Sequence, residues 1–108
     1  YSASALKHGP YSLIEVGNPI IFILSKNDMN NNIYNTISEV RSRGALTWIV
    51  SDDENIEGFD DMIDIPYNPS LYGILHVIPF QILSYLIAIN KGHNPDYPRN
   101  LAKSVTVD

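Results

Sequence analysis

Two short apolar runs set the tightest limit on what this chain can fold into. Ile20-Ile21-Phe22-Ile23-Leu24 and Leu46-Thr47-Trp48-Ile49-Val50 are rich in β-branched and aromatic residues and carry almost no polar alternation. A strand with one face in water alternates polar and apolar side chains, whereas a strand covered on both faces, as in a parallel sheet, has no need to. The Gly17-Asn18-Pro19 turn signal opens the first run. Between the two runs, Ile33, Ile37 and Val40 recur at helical spacing, Arg41 and Arg43 fall in the last turn, and Gly44 follows as a C-terminal cap. Strand, helix and strand in that order make a βαβ unit, with a right-handed crossover expected. The fold class read from this pattern is α/β with a mostly parallel sheet.

Beyond the second run, Met62–Ile65 reads as a third, short strand. Ser51 to Asp61 is too short for a full helical crossover to it. Leu71 to Asn90 reads as a long apolar helix, kinked or restarted at Pro79. Its lack of a polar face predicts packing on two sides, against the sheet and against a second subunit. Leu71–Ile89 holds no charged residue and approaches the ~20 apolar residues that span a bilayer. His76, Gln81 and Ser84 interrupt it, and Lys91 is its only flanking cation, so a buried helix is expected and no membrane. A parallel sheet of only three strands points to a domain with further elements, and the start at Tyr1 to a chain cut from something longer.

Composition removes several classes of function. The 108 residues suit one small domain, and 44 % hydrophobic with 18 % charged residues suits a soluble globular core. A net charge of −5, with seven scattered Lys and Arg residues, offers no basic face for nucleic acid. No cysteine is present, which excludes disulfides, thiolate zinc sites and cysteine nucleophiles. The absence of a signal-peptide pattern in Tyr1–Pro10 favours the cytoplasm. Asp52, Asp53, Glu54, Glu57, Asp60, Asp61 and Asp64 are dense enough to raise a calcium loop, but Ile56 falls where the third alternate ligand belongs. A solvated loop at one end of the sheet is expected instead. His8, His76 and His93 are too widely spaced to suggest a metal site, so neither metal nor cofactor is expected. His76, on the apolar helix, reads as a hydrogen-bonded core or interface histidine, and His93, in a Gly/Asn/Pro loop, as an exposed one.

Two residues stay open to a chemical reading. In Leu6-Lys7-His8-Gly9-Pro10 a tight turn sets an imidazole beside a cation. Such a turn can hold His8 toward an anionic ligand, although turn chemistry alone explains Gly9 and Pro10. Lys103 is the single ammonium in an apolar tail. It is either solvated or folded into a cleft, where desolvation lowers its pKa and frees the amine to attack a carbonyl.

Longer motifs bear on both. Leu6-Lys7-His8-Gly9-Pro10, with Ser12-Leu13-Ile14 after it, resembles the LKHGP-x-x-LI segment of the isomerising glutamine–fructose-6-phosphate aminotransferases. Pro98-Arg99-Asn100-Leu101-Ala102-Lys103-Ser104-Val105-Thr106-Val107-Asp108 resembles the family's PRNLAKSVTVE terminus. Val77–Leu83 and Glu39–Gly44 are similar to its intervening helices. The resemblance implies a partial three-layer α/β/α domain of the SIS (phosphosugar isomerase) type, covering residues 1–95, with an active-site tail at residues 96–108. It implies conversion of fructose 6-phosphate and glutamine to glucosamine 6-phosphate and glutamate, with ammonia supplied by a glutaminase domain of the same parent chain. It places the Schiff-base lysine at Lys103, a backbone contact to the sugar at Ala102, and a ring-opening histidine at His8 that reaches the other subunit of a homodimer. The family's phosphate loop, general-base glutamate and glutaminase cysteine have no counterpart here, so the 108 residues alone are expected to be inactive. Ala5 stands where the family usually has Glu, and Asp108 replaces Glu. Two alternatives remain: a phosphosugar deaminase or isomerase of SIS type that uses no glutamine, and a non-catalytic sugar-phosphate-binding module.

Overall fold

The computed structural model describes residues 1–26 and 31–98. They fall into two compact units, Tyr1–His76 and Val77–Asp108.

The first unit is built on the βαβ arrangement. Strand β1 (Pro19–Leu24) runs to helix α1 (Asn31–Ser42), and α1 returns the chain to β2 (Leu46–Ser51). Strand β3 (Asp61–Asp64) completes a sheet of order β1-β2-β3, parallel throughout. Register pairs Pro19 with Leu46 and Leu24 with Ser51, then Trp48 with Asp61 and Ser51 with Asp64. The β2–β3 connection contains no helix, as its length implied. Ile56 and Phe59 cover the sheet in its place. Ile56 is buried in the core, and the Phe59 ring meets Phe22 edge-on at 6.3 Å between centroids.

Side chains alternate across a strand, so this register fixes which residues share a face. Phe22, Leu24 and Ile49 lie on the face toward α1 and form one core with Ile37, Val40, Ala45 and Ile56. Helix α1 spends its buried stripe there: Thr36, Ile37 and Val40 are its buried residues. The turn after α1 needs glycine. Gly44 has φ of +86°, and a Cβ there would come within 2.8 Å of Val16.

The opposite face departs from expectation. Continuous apolarity predicted cover on both sides, yet Ile23 and Ile63 are each about half exposed, and only Val50 among these positions is fully buried. The long helix also differs. Helix α2 (Tyr72–Asn90) runs unbroken through Pro79, forgoing one bond of its ladder. Its only buried residue is His76, whereas packing on two sides was expected. By length and composition it is long and apolar enough to cross a membrane.

His76 is the hydrogen-bonded core histidine expected. Its Nδ1 lies 2.8 Å from the Tyr72 carbonyl oxygen and its Nε2 lies 3.3 Å from that of Leu24. In the second unit, the helix closes through the His93 amide, which donates to the Ala88 carbonyl at 2.8 Å. Residues 91–98 that follow are exposed, His93 among them.

The core ranks predict where truncation is felt. Ile49→Ala, at a position with no exposed surface, is expected to destabilise the fold by about 2–5 kcal/mol. Gly44→Ala is expected to cost about 1 kcal/mol or more, because both φ and the Val16 contact resist a Cβ. Calorimetric melting of the two variants checks both values.

Candidate functional site

His8 lies at the end of a 3₁₀ segment, Ala3–His8, and a second such segment, Pro10–Leu13, follows at once. The hinge between them is Gly9, whose φ of 154° and ψ of −57° no side chain tolerates well. Ser12 steadies the turn, its amide and hydroxyl both donating to the Gly9 carbonyl, at 3.0 and 2.7 Å. The imidazole itself is exposed.

What holds this segment is a cluster centred on Glu39 of α1. Lys7 Nζ donates to Glu39 Oε1 at 2.8 Å, and Tyr11 Oη donates to Glu39 Oε2 at 2.8 Å. Arg43, just past the end of α1, donates from Nη1 to the Glu39 carbonyl at 2.6 Å. Its guanidinium also stands over the Tyr11 ring, 4.4 Å from the centroid. Leu6, Tyr11 and Ile14 pack against the core beneath. The hydrogen bonds from Lys7 and then Tyr11 hold the Glu39 carboxyl below its ordinary range. The same Glu39 bond raises Lys7, while desolvation first and that bond second raise the Tyr11 phenol.

The acidic stretch is more structured than a solvated loop. Asp60 Oδ2 accepts from both the amide and the hydroxyl of buried Thr47, at 2.7 and 2.8 Å, while the Asp60 amide donates to the Thr47 carbonyl at 2.8 Å. The bond from the Thr47 amide, and after it the one from the Thr47 hydroxyl, lower the Asp60 carboxyl. Asp52 is buried and accepts the Lys26 amide at 2.6 Å, tying the carboxyl ends of β1 and β2 together. Arg41 reaches from α1 to the Gly58 carbonyl and stands 3.9 Å from Asp60. Among the described residues, no group of three His, Asp or Glu side chains is placed to hold a metal ion.

Of the site residues named from sequence, only His8 is among those described; Ala102 and Lys103 lie outside the described residues. Glu39 and Tyr11 were not singled out. The spacing of Glu39 four residues before Arg43 marks a helix-surface pair, but nothing in the sequence shows its reach back to Lys7, thirty-two positions earlier.

A parallel sheet with a helical crossover and a histidine turn seated on that helix make a small α/β domain, the class that the SIS-type resemblance implies. A solved structure agrees: the C-terminal domain of glucosamine-fructose-6-phosphate aminotransferase from Francisella tularensis superposes with a TM-score of 0.75 at 26 % identity, covering 87 % of this chain and 28 % of that one. No family model matches. Curated relatives match along the whole length. Glutamine–fructose-6-phosphate aminotransferase (isomerizing) of Pyrobaculum aerophilum is 40 % identical over 111 residues, covering all of this chain and 18 % of the relative. The probable enzyme of that name in Schizosaccharomyces pombe is 45 % identical over 109 residues, covering 98 % and 16 %. That of Buchnera aphidicola subsp. Baizongia pistaciae is 45 % identical over 112 residues, covering 100 % and 18 %. Along its length the chain is similar to the isomerising glutamine–fructose-6-phosphate aminotransferases, and it spans less than a fifth of the length of these relatives.

The lowered carboxyls carry a pH signature. A carboxyl that ionises more readily folded than unfolded stabilises the fold above its ordinary pKa, 4.5 for Glu39 and 3.8 for Asp60. That contribution is lost as pH falls through the lowered folded value. Both groups are solvent-accessible, so screening keeps the effect small. Glu39→Gln and Asp60→Asn are each expected to lower Tm slightly at pH 7, with the difference shrinking as pH falls below the ordinary carboxylate range. Melting curves across that range test it.

Proposed function

We propose that this chain is the C-terminal part of the isomerase region of an enzyme that converts fructose 6-phosphate and glutamine to glucosamine 6-phosphate and glutamate. The observation that carries the proposal is identity of 40–45 % along essentially the whole chain to aminotransferases of that name. His8 serves ring opening. As the bond from C2 to the ring oxygen breaks, a proton reaches that oxygen and the anomeric hydroxyl gives one up, leaving a C2 carbonyl. A solvent-facing imidazole can mediate both transfers. The Lys103 amine then adds to C2 and water leaves, giving a protonated Schiff base. Ala102, beside it, contributes a backbone contact to the sugar, and the closing tail excludes water that would compete.

Ammonia for the amination comes from a glutaminase domain elsewhere in the parent. The 108 residues alone, lacking a cysteine nucleophile, would neither hydrolyse glutamine nor complete the isomerisation. The active form is a cytoplasmic homodimer, in which His8 serves the other subunit's site and a protein surface covers the exposed apolar side chains of α2. Polar interruptions at His76, Gln81 and Ser84 support that reading of α2 over a membrane span.

The test is reductive trapping on the intact protein. With fructose 6-phosphate and borohydride, a sugar adduct is expected on Lys103 by peptide mass mapping, and none in Lys103→Met. His8→Ala is expected to lower turnover by about 10²–10⁴-fold. Turnover with no adduct contradicts the Schiff base. Sugar binding with no product points instead to a non-catalytic sugar-phosphate-binding module, and sugar isomerisation or deamination that uses no glutamine to an isomerase or deaminase of the same fold.

A further inference from the structure

The His8 imidazole is exposed, so its place is set by what holds its neighbours. Gly9 beside it adds freedom that a side chain would remove. Lys7 and Tyr11 stand on either side of this turn, and each donates to a different oxygen of the one Glu39 carboxylate, both at 2.8 Å. Glu39 in turn sits on a firm support. Ile37 and Val40 bracket it on α1, with 5 % and 0 % of their surface exposed, and Arg43 fastens both the Glu39 carbonyl and the Tyr11 ring.

From this geometry we propose that Glu39 is a positioning residue for His8: its two carboxylate oxygens grip the chain on both sides of the His8-Gly9-Pro10 turn and set where the imidazole stands. The proposal rests on the reading of His8 as the ring-opening acid and base. It differs from a stability role in its magnitudes. The Lys7 and Glu39 side chains are 54 % and 37 % exposed, and an ion pair so accessible adds little to folding. Leu6, Tyr11 and Ile14 pack on the core independently of it, so the segment stays docked when the carboxylate is removed. Catalysis is far more sensitive, since a displacement of about 1 Å can lower a rate by 10²-fold. An amide offers only one acceptor oxygen where a carboxylate offers two, so Glu39→Gln keeps at most one side of the grip.

The experiment is a kinetic cycle in the intact protein, following glucosamine 6-phosphate formation at saturating glutamine, with folding of each variant confirmed by circular dichroism. Glu39→Ala is expected to lower kcat by about tenfold or more while KM for fructose 6-phosphate stays within about twofold. Glu39→Gln should fall between it and the parent protein, and Lys7→Met/Tyr11→Phe should match Glu39→Ala. In a His8→Ala background, Glu39→Ala should change kcat by less than about twofold, because its effect passes through His8. Equal losses in both backgrounds, or a folded Glu39→Ala protein with unchanged kcat, overturn the proposal. If His8→Ala is itself harmless, the reading of His8 fails and the proposal with it; if His8→Ala is crippled beside an intact Glu39→Ala, only the role of Glu39 fails.

Discussion

Parallel pairing of β1 with β2 is the constraint on which the rest of the first unit depends. Two parallel neighbours cannot be joined by a tight turn, so the chain must cross the sheet between them, and α1 is that crossing. One stripe of the helix, Thr36, Ile37 and Val40, is consumed by the core. The flank beside it, with Glu39 and Arg43, is left to receive another segment, and it receives the residues around His8. The same crossing closes at Gly44, whose carbonyl accepts the Gly17 amide at 2.8 Å, just ahead of β1. The histidine turn is thus seated on an element whose position is fixed by the sheet and whose own core contacts leave it little room to move.

Much of this was legible in the chain. Unbroken runs of Ile, Phe, Trp and Val marked β1 and β2, and the Ile33–Ile37–Val40 spacing with Gly44 behind it marked α1, because burial imposes those periods directly on sequence. The third strand was displaced by one residue, since Asp61 pairs with Trp48 through backbone bonds that its charged side chain does not advertise. Pro79 signalled a kink or a restart; the helix does not restart there, and α2 continues through it with one bond fewer.

What stayed hidden is long-range and polar. Glu39 bridging Lys7 and Tyr11, Asp60 capping Thr47, and Asp52 holding the Lys26 amide each join residues 13 to 32 positions apart. No periodicity encodes such contacts, and the acidic stretch therefore read as solvated although Asp52 is buried within it. The apolar faces misled in the other direction. Ile23, Ile63 and most of α2 carry the composition of covered surface while remaining exposed within this chain. Composition does not say whether an apolar side chain is covered, and among the described residues these are not. For a segment spanning less than a fifth of its relatives, the apolar surface is a property to be read in the intact protein.

The most direct measurement is a crystal structure of the intact protein with fructose 6-phosphate bound. The expected result places the His8 imidazole within about 3.2 Å of the sugar's ring oxygen or anomeric hydroxyl, with Glu39 still bridging Lys7 and Tyr11. A sugar bound where no His8 of either subunit reaches it, or a His8 turn lifted away from α1 in the complex, would contradict the assignment.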